Sequence, residues 1–313
     1  MKKSLIALAV AGALTAPMIA QADATVYGSL RVKAVSSDKD GSTIDVTDNS
    51  SRWGVRGKQQ TGIDGVTATY RFETTVSTDP TVGGAAFTPR LSYVGLNTGS
   101  GNFNFGRQWT PAFLMVGSMV DVLDASSNPT HDYGTEGRQS NTLSYTTPKM
   151  GGFQAALATV HRDGDTREKD LDAYNLAATY EIAGVRLAAS HTDYDAVGDK
   201  AKTALAASYT MDALYLAGVY SDADPDMRNA GTGKKSYELV GSYMVNDNVK
   251  LLANYVDFGK AASADQGTQY AIEAWYKLGK KARTFINFTD VNSDRETNAG
   301  KFGSWNVGYR VDF

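Results

Sequence analysis

Seven arginines fall where alternating segments turn their polar side: Arg31, Arg52, Arg56 and Arg71, joined by Arg90, Arg107 and Arg138. A long stretch, residues 110–137, carries the apolar run Phe113, Leu114, Met115 and Val116 and then the acids Asp121, Asp124, Asp132 and Glu136. These groups are not arranged for bond-making. The three histidines, His131, His161 and His191, sit in or beside different connections, with no Gly-x-Ser-x-Gly turn and no partner at a nucleophile–base spacing. No cysteine, metal-spaced histidine cluster or glycine-rich nucleotide loop is present, so the sequence implies no catalytic residue, no cofactor and no metal. The chemistry left is electrostatic. A basic wall facing acids across a shared space sets a transverse field that orients dipoles and filters ions; solvated arginines, or arginines in strand-to-strand ion pairs, would do neither.

The elements that carry these groups repeat with period two. In Ser304-Trp305-Asn306-Val307-Gly308-Tyr309-Arg310-Val311-Asp312-Phe313, the residues Trp305, Val307, Tyr309, Val311 and Phe313 form one apolar face and Asn306, Arg310 and Asp312 the other. Tyr174, Leu176, Ala178 and Tyr180 alternate with Asn175 and Thr179; Tyr237, Leu239, Gly241 and Tyr243 with Glu238 and Ser242; Tyr270, Ile272, Ala274 and Tyr276 with Gln269 and Glu273. Tyrosines bracket each apolar stripe, the pattern of strands that pass two membrane interfaces. The pattern predicts strands near 25–35, 51–60, 66–76, 89–97, 102–110, 138–147, 152–161, 171–182, 185–194, 202–211, 214–222, 236–245, 249–258, 268–278, 282–290 and 302–313. Short turns such as Ala183-Gly184, Asp212-Ala213 and Asn246-Asp247-Asn248 alternate with longer polar connections that hold most of the acids.

An even number of strands with alternating short and long connections describes a barrel with short turns in the periplasm and long loops outside. In hydrocarbon every backbone group must be paired, so the last strand should close on the first. A mid-strand arginine facing lipid would cost about 2–4 kcal/mol, which directs the arginines inward. Residues 1–22 read as a secretory signal peptide: Lys2 and Lys3, an apolar run to Met18, and Ala20-Gln21-Ala22 ahead of Asp23. Its removal, losing two lysines and no acid, would take the net charge from −3 to −5 and leave residues 23–313 as one barrel domain. That balance argues against a nucleic-acid partner. With 31 Gly and 17 Tyr against 7 Pro, the composition suits turns and interfacial aromatics.

Several landmarks, in order and spacing, resemble the trimeric general diffusion porins of Gram-negative bacteria across essentially all of residues 23–313. They are Val26-Tyr27-Gly28, Ser51-Arg52-Trp53-Gly54-Val55-Arg56-Gly57, Arg90-Leu91-Ser92-Tyr93-Val94-Gly95-Leu96, Gly106-Arg107-Gln108-Trp109-Thr110-Pro111 and the terminal Phe313. The resemblance implies an all-β, 16-stranded antiparallel transmembrane β-barrel with an inward-folded third external loop, assembled as a homotrimer in the outer membrane. It implies passive diffusion of small hydrophilic solutes and ions. Arg52, Arg90, Arg107 and Arg138 match the basic side of the pore constriction, with Arg31 and Arg71 beside them, and Asp121 and Asp124 fall where the loop's acids would be. The chain departs from the pattern at Ser29, where a lysine often follows Tyr-Gly, leaving Arg31 or Lys33 to substitute, and in lacking the Pro-Glu-Phe-Gly-Gly stretch of enteric loops. Tyr309, Val311 and Phe313 look like the assembly signal that the barrel-assembly machinery reads.

A substrate-selective channel, a barrel adhesin and a barrel enzyme are the rival functions. A sugar-selective pore would need a ladder of aromatics inside, for which only Trp275 is a candidate. Carboxylate runs at Asp38, Asp40, Asp45 and Asp48, at Asp163, Asp165, Glu168 and Asp170, and at Asp222, Asp224 and Asp226 could hold divalent cations shared with lipopolysaccharide or be solvated loop charge. The negative mature charge leans towards a weak cation preference.

Overall fold

The computed structural model describes residues 23–37, 43–78, 87–125, 137–161, 171–194, 200–224, 235–259, 267–292 and 303–313. Residues 1–22, read above as a signal peptide, His131, and the acids Asp38, Asp40, Asp132, Glu136, Asp163, Asp165, Glu168, Asp170 and Asp226 lie outside the described residues.

Among the described residues there are seventeen strand segments: β1 (Asp23–Ser37), β2 (Thr43–Asp48), β3 (Arg52–Gln60), β4 (Thr67–Thr75), β5 (Pro89–Thr98), β6 (Gly101–Trp109), β7 (Arg138–Thr146), β8 (Phe153–Val160), β9 (Ala173–Ile182), β10 (Val185–Tyr194), β11 (Lys200–Met211), β12 (Leu214–Ala223), β13 (Lys235–Met244), β14 (Val249–Asp257), β15 (Thr268–Lys277), β16 (Ala282–Val291) and β17 (Ser304–Asp312). All form one antiparallel sheet. β2 lies against the second half of β1, with Asp48 opposite Val32, and β3 against its first half, with Arg52 opposite Ser29. They are two halves of one barrel strand, so the barrel counts sixteen. The break at 49–51 is turned by Ser50 at φ 65° and sealed by Ser51, whose Oγ accepts from Arg31 N and donates to Arg31 O.

That strand begins earlier than the sequence pattern places it, and Asp45 and Asp48 belong to it rather than to the first external connection. The alternation of Ile44 and Val46 is too short to stand out from the acids and the Asn49-Ser50-Ser51 break that follow. Elsewhere the sixteen expected segments and the observed ones differ by a residue or two at their ends.

The sheet closes through β17 on β1, with Val311 opposite Leu30 and Arg310 opposite Arg31. Phe313 exchanges two backbone hydrogen bonds with Gly28. No backbone edge is therefore presented to lipid, as a span without helices requires; among the described residues no helix is long and apolar enough to cross a membrane. The two faces are chemically opposite. Tyr237, Leu239 and Tyr243 are exposed while Ser236, Glu238, Val240 and Ser242 between them are buried. The same alternation runs along β9 and β15, and the exposed apolar residues recur from Val26 to Tyr309 around the circumference. On a water-soluble protein such a band would be an aggregation surface; in a bilayer it is the solvated face.

After β6 the chain makes a helical turn, α1 (Pro111–Met115), begun by Pro111 and by Thr110, whose hydroxyl accepts from Phe113 N. A 3-10 turn, Gly117–Met119, follows. Ala112 N donates to Asn175 Oδ1 on β9 at 2.7 Å. Val116, Met119 and Val120 pack against Ala188, Ala204, Ala206, Ala217, Val219 and Val240, the small residues of β10–β13. Apolar residues early in this long connection are thus in contact with the inner side of the sheet.

Candidate functional site

A cavity of about 760 Å³ lies between this segment and the strands of the opposite wall. Arg31, Arg52, Arg71, Arg90 and Arg138 reach it from β1, β3, β4, β5 and β7, and Asp121 and Asp124 reach it from the connection after β6. Arg107 does not line it: paired across the sheet with Ser92, it donates to the Pro89 carbonyl and the Ser140 hydroxyl. His161 and His191 do not line it either and bond the hydroxyls of Thr159 and Thr203. Trp109 stacks on Phe113 with ring centroids 3.9 Å apart, and Arg138 stands over Trp109.

Several of the charges neutralise one another. Glu73, a buried carboxylate on β4, accepts from Arg90 Nε at 2.7 Å, from Arg71 Nη2 at 3.0 Å and from the Tyr27 hydroxyl at 2.9 Å. Asp124 is gripped by Arg283 Nη2 at 2.8 Å and Arg310 Nη1 at 3.0 Å, from β16 and β17. Burial alone would raise its pKa, but the hydrogen bonds and charges of these two arginines outweigh that and hold the carboxyl below the usual range. Beneath it, Glu273 of β15 accepts the backbone N–H groups of Asp124 and Ala125 at 2.7 and 3.0 Å. Leu123 packs with Leu252, Ala271 and Trp275. Trp275 is therefore an anchor beneath the connection, with the Arg283 guanidinium 4.0 Å above its ring.

Asp121 makes no ion pair among the described residues. It is open to water yet ringed by the wall, and burial pushes its carboxyl up despite the attraction of Arg52, Arg31 and Arg90. Arg31, Arg52 and Arg138 likewise enter no ion pair among the described residues, and Arg138 has a buried Nη1 with no hydrogen-bond partner.

Sequence reasoning did not select Glu73, Glu273, Arg283 or Arg310. The signal was available for three of them. Glu73 is two residues from Arg71 and so shares its face, and Glu273 and Arg310 stand on the polar side of clear alternations. Arg283 sits in a strand whose parity the sequence does not decide, because Phe285, on the same side, is apolar but buried inward against Gly308.

A closed sheet with an apolar belt outside and a charged, water-accessible cavity inside defines a transmembrane barrel channel. The chain belongs to the Gram-negative porin family, whose model matches residues 7–296. It is 25% identical over 348 residues to the outer membrane porin protein OmpD of Citrobacter koseri, covering 96% of this chain and 95% of that protein. It is 27% identical over 238 residues to the outer membrane protein U of Vibrio parahaemolyticus, covering 71% of this chain and 66% of that protein. Among solved structures, Salmonella typhi OmpF in complex with daunomycin superposes with a TM-score of 0.76 at 19% identity, covering 93% of this chain and 97% of that one. The anion-selective porin from Comamonas acidovorans superposes with 0.74 at 21% identity, covering 94% and 100%. The protein is thus an outer-membrane diffusion channel for small hydrophilic solutes and ions.

Proposed function

We propose that the segment 110–125 narrows the channel, and that the narrowed section prefers anions weakly. The observation that carries this is the imbalance of unpaired charge around the cavity. Glu73 and Asp124 are neutralised by arginines, whereas Arg31, Lys33, Arg52 and Arg138 stay outside any ion pair among the described residues and outnumber Asp48 and Asp121, the cavity acids that do likewise. In a narrow lumen of low effective dielectric such an excess acts on every ion that passes. The negative net charge of the chain suggests cation preference, but the charge that lines this cavity supports the opposite sign.

The fold likeness to a trimer form of OmpT from Vibrio cholerae supports a homotrimer, and the exposed apolar belt supports contact with outer-membrane lipid and lipopolysaccharide. Cleavage after residue 22 and reading of Tyr309, Val311 and Phe313 by the assembly machinery belong to the same reading. The test is conductance of the purified protein in a planar bilayer with reversal potential under a potassium chloride gradient. Openings in threes with an anion-side reversal potential are expected. A cation-side potential would overturn the charge assignment, and a folded barrel without conductance would overturn the channel itself.

A further inference from the structure

Two inner-wall arginines are held by ring faces rather than by carboxylates. Arg56 stands over Tyr27 at 5.2 Å and Arg138 over Trp109 at 4.9 Å. A guanidinium positioned by a ring face keeps its edge-on N–H donors for another partner. Arg56 enters no ion pair among the described residues, and neither does Lys58, its neighbour on the same face of β3. Tyr27 is itself fixed, since its hydroxyl accepts from Arg71 Nε at 2.7 Å and donates to Glu73. The platform under Arg56 is therefore rigid.

Arg56 and Lys58 open into a second cavity, of about 670 Å³, which also meets Tyr93, Asn97, Asn102 and Asn104. It lies beside the short turn that joins β5 to β6, the periplasmic end of an outer-membrane strand pair. Asn97 and Asn102 face each other across the sheet, and Asn104 is one pair further along that face. Asp23 at the rim is opposite Lys58 in register without bonding it. In a different cavity at the same end, of about 520 Å³ under β9 to β12, Lys149 and Arg186 share the carboxylate of Glu181, whereas Arg56 and Lys58 share none among the described residues.

The geometry points to a second solute station, on the periplasmic side of the narrowed section, that takes a small hydroxylated oxyanion: a phosphate monoester or carboxylate of a short polyol. Arg56 and Lys58 receive the oxyanion, and the carboxamides of Asn97, Asn102 and Asn104, donor and acceptor at once, match hydroxyl groups. This deepens the anion-preferring reading and rests on the channel being open, but not on the sign set at the narrowed section.

The probe is glycerol 3-phosphate, added to either side of a bilayer holding the intact protein in potassium chloride, with interruption of the single-channel current recorded. Block should be stronger from the short-turn side than from the loop side. Arg56→Gln with Lys58→Gln should raise the half-blocking concentration about tenfold, while Arg138→Gln should shift the reversal potential and leave that concentration within about twofold. Asn102→Asp, which keeps the side-chain size and adds a like charge, should also weaken block in channels of normal conductance. Glycerol alone should not block. Equal potency of inorganic phosphate would overturn the hydroxyl-recognising part, and block unchanged in the double variant would overturn the site. The reversal potential, read in the same membrane, judges the narrowed section independently.

Discussion

A carboxylate held between two guanidiniums adds little net charge to the water beside it, whereas an unpaired one is felt in full. This separates Asp124 from Asp121, three residues away. Asp121→Asn should raise the anion-to-cation permeability ratio about twofold with a quiet current. Asp124→Asn leaves Arg283 without a carboxylate and Arg310 with Asp312 alone, and loosens the end of the connection, so its anion shift should come with a noisier open state. Single-channel records of the two variants check both. The pH dependence follows from the opposite shifts. Asp121, raised from its ordinary value, takes up its proton before Asp124 as pH falls, so anion preference should grow on acidification while the Asp124 ion pairs still hold. Asp124, depressed, keeps its ion pairs until more acidic pH; the stability they contribute is present above the ordinary aspartate range and is lost as pH falls through the lowered value. Reversal potentials that stay flat down to the pH at which the folded barrel loses stability would count against Asp121 as the unpaired acid. Much of this charge was legible from sequence, because arginines opposite an apolar stripe have one affordable direction. What was not legible is the pairing, since Arg283 and Asp124 are brought together only by closure of the sheet and the course of the connection.

At the scale of the strand, ring and glycine are matched across neighbours. The Phe313 ring covers Gly28, and a Cβ there would collide with its Cζ. Tyr27 covers Gly54, Tyr70 covers Gly57 and Phe285 covers Gly308 in the same way. Such pairs fill the gap a glycine leaves and pin register between strands. Gly28→Val should displace the terminal ring at the seam between β1 and β17 and cost about 1–3 kcal/mol, lowering the temperature at which the folded barrel loses its compact form on unheated gels, with conductance of the assembled channel unchanged. Deleting Phe313 should reduce assembly more than conductance; equal assembly would refute a signalling role for that end. The strand pattern was readable almost throughout because period two and bracketing tyrosines repeat many times. It failed at β2, where only Ile44 and Val46 carry the alternation and Ser50 breaks it.

For the whole molecule, the uneven filling of the interior matters most. The alanines of β10–β12 accept the apolar residues of the 110–125 segment, while on the wall of β1 to β7 Arg31, Arg52, Arg56 and Arg138 stay outside any ion pair among the described residues. Sequence shows both sets of residues but not that they lie on opposite walls, which depends on the curvature of the closed sheet. If three such barrels associate, the purified protein should run at three times its monomer mass by light scattering in mild detergent and fall to one third on heating; a single species at monomer mass would exclude the homotrimer. The same contacts also have a mechanical meaning. A tube of one sheet ovalises easily under lateral pressure, since bending it costs few hydrogen bonds. Here a strut, bonded to Asn175 on β9 at one end and to Glu273, Arg283 and Arg310 at the other, ties distant parts of the hoop together, so the barrel should keep its cross-section when the surrounding bilayer is compressed or stretched.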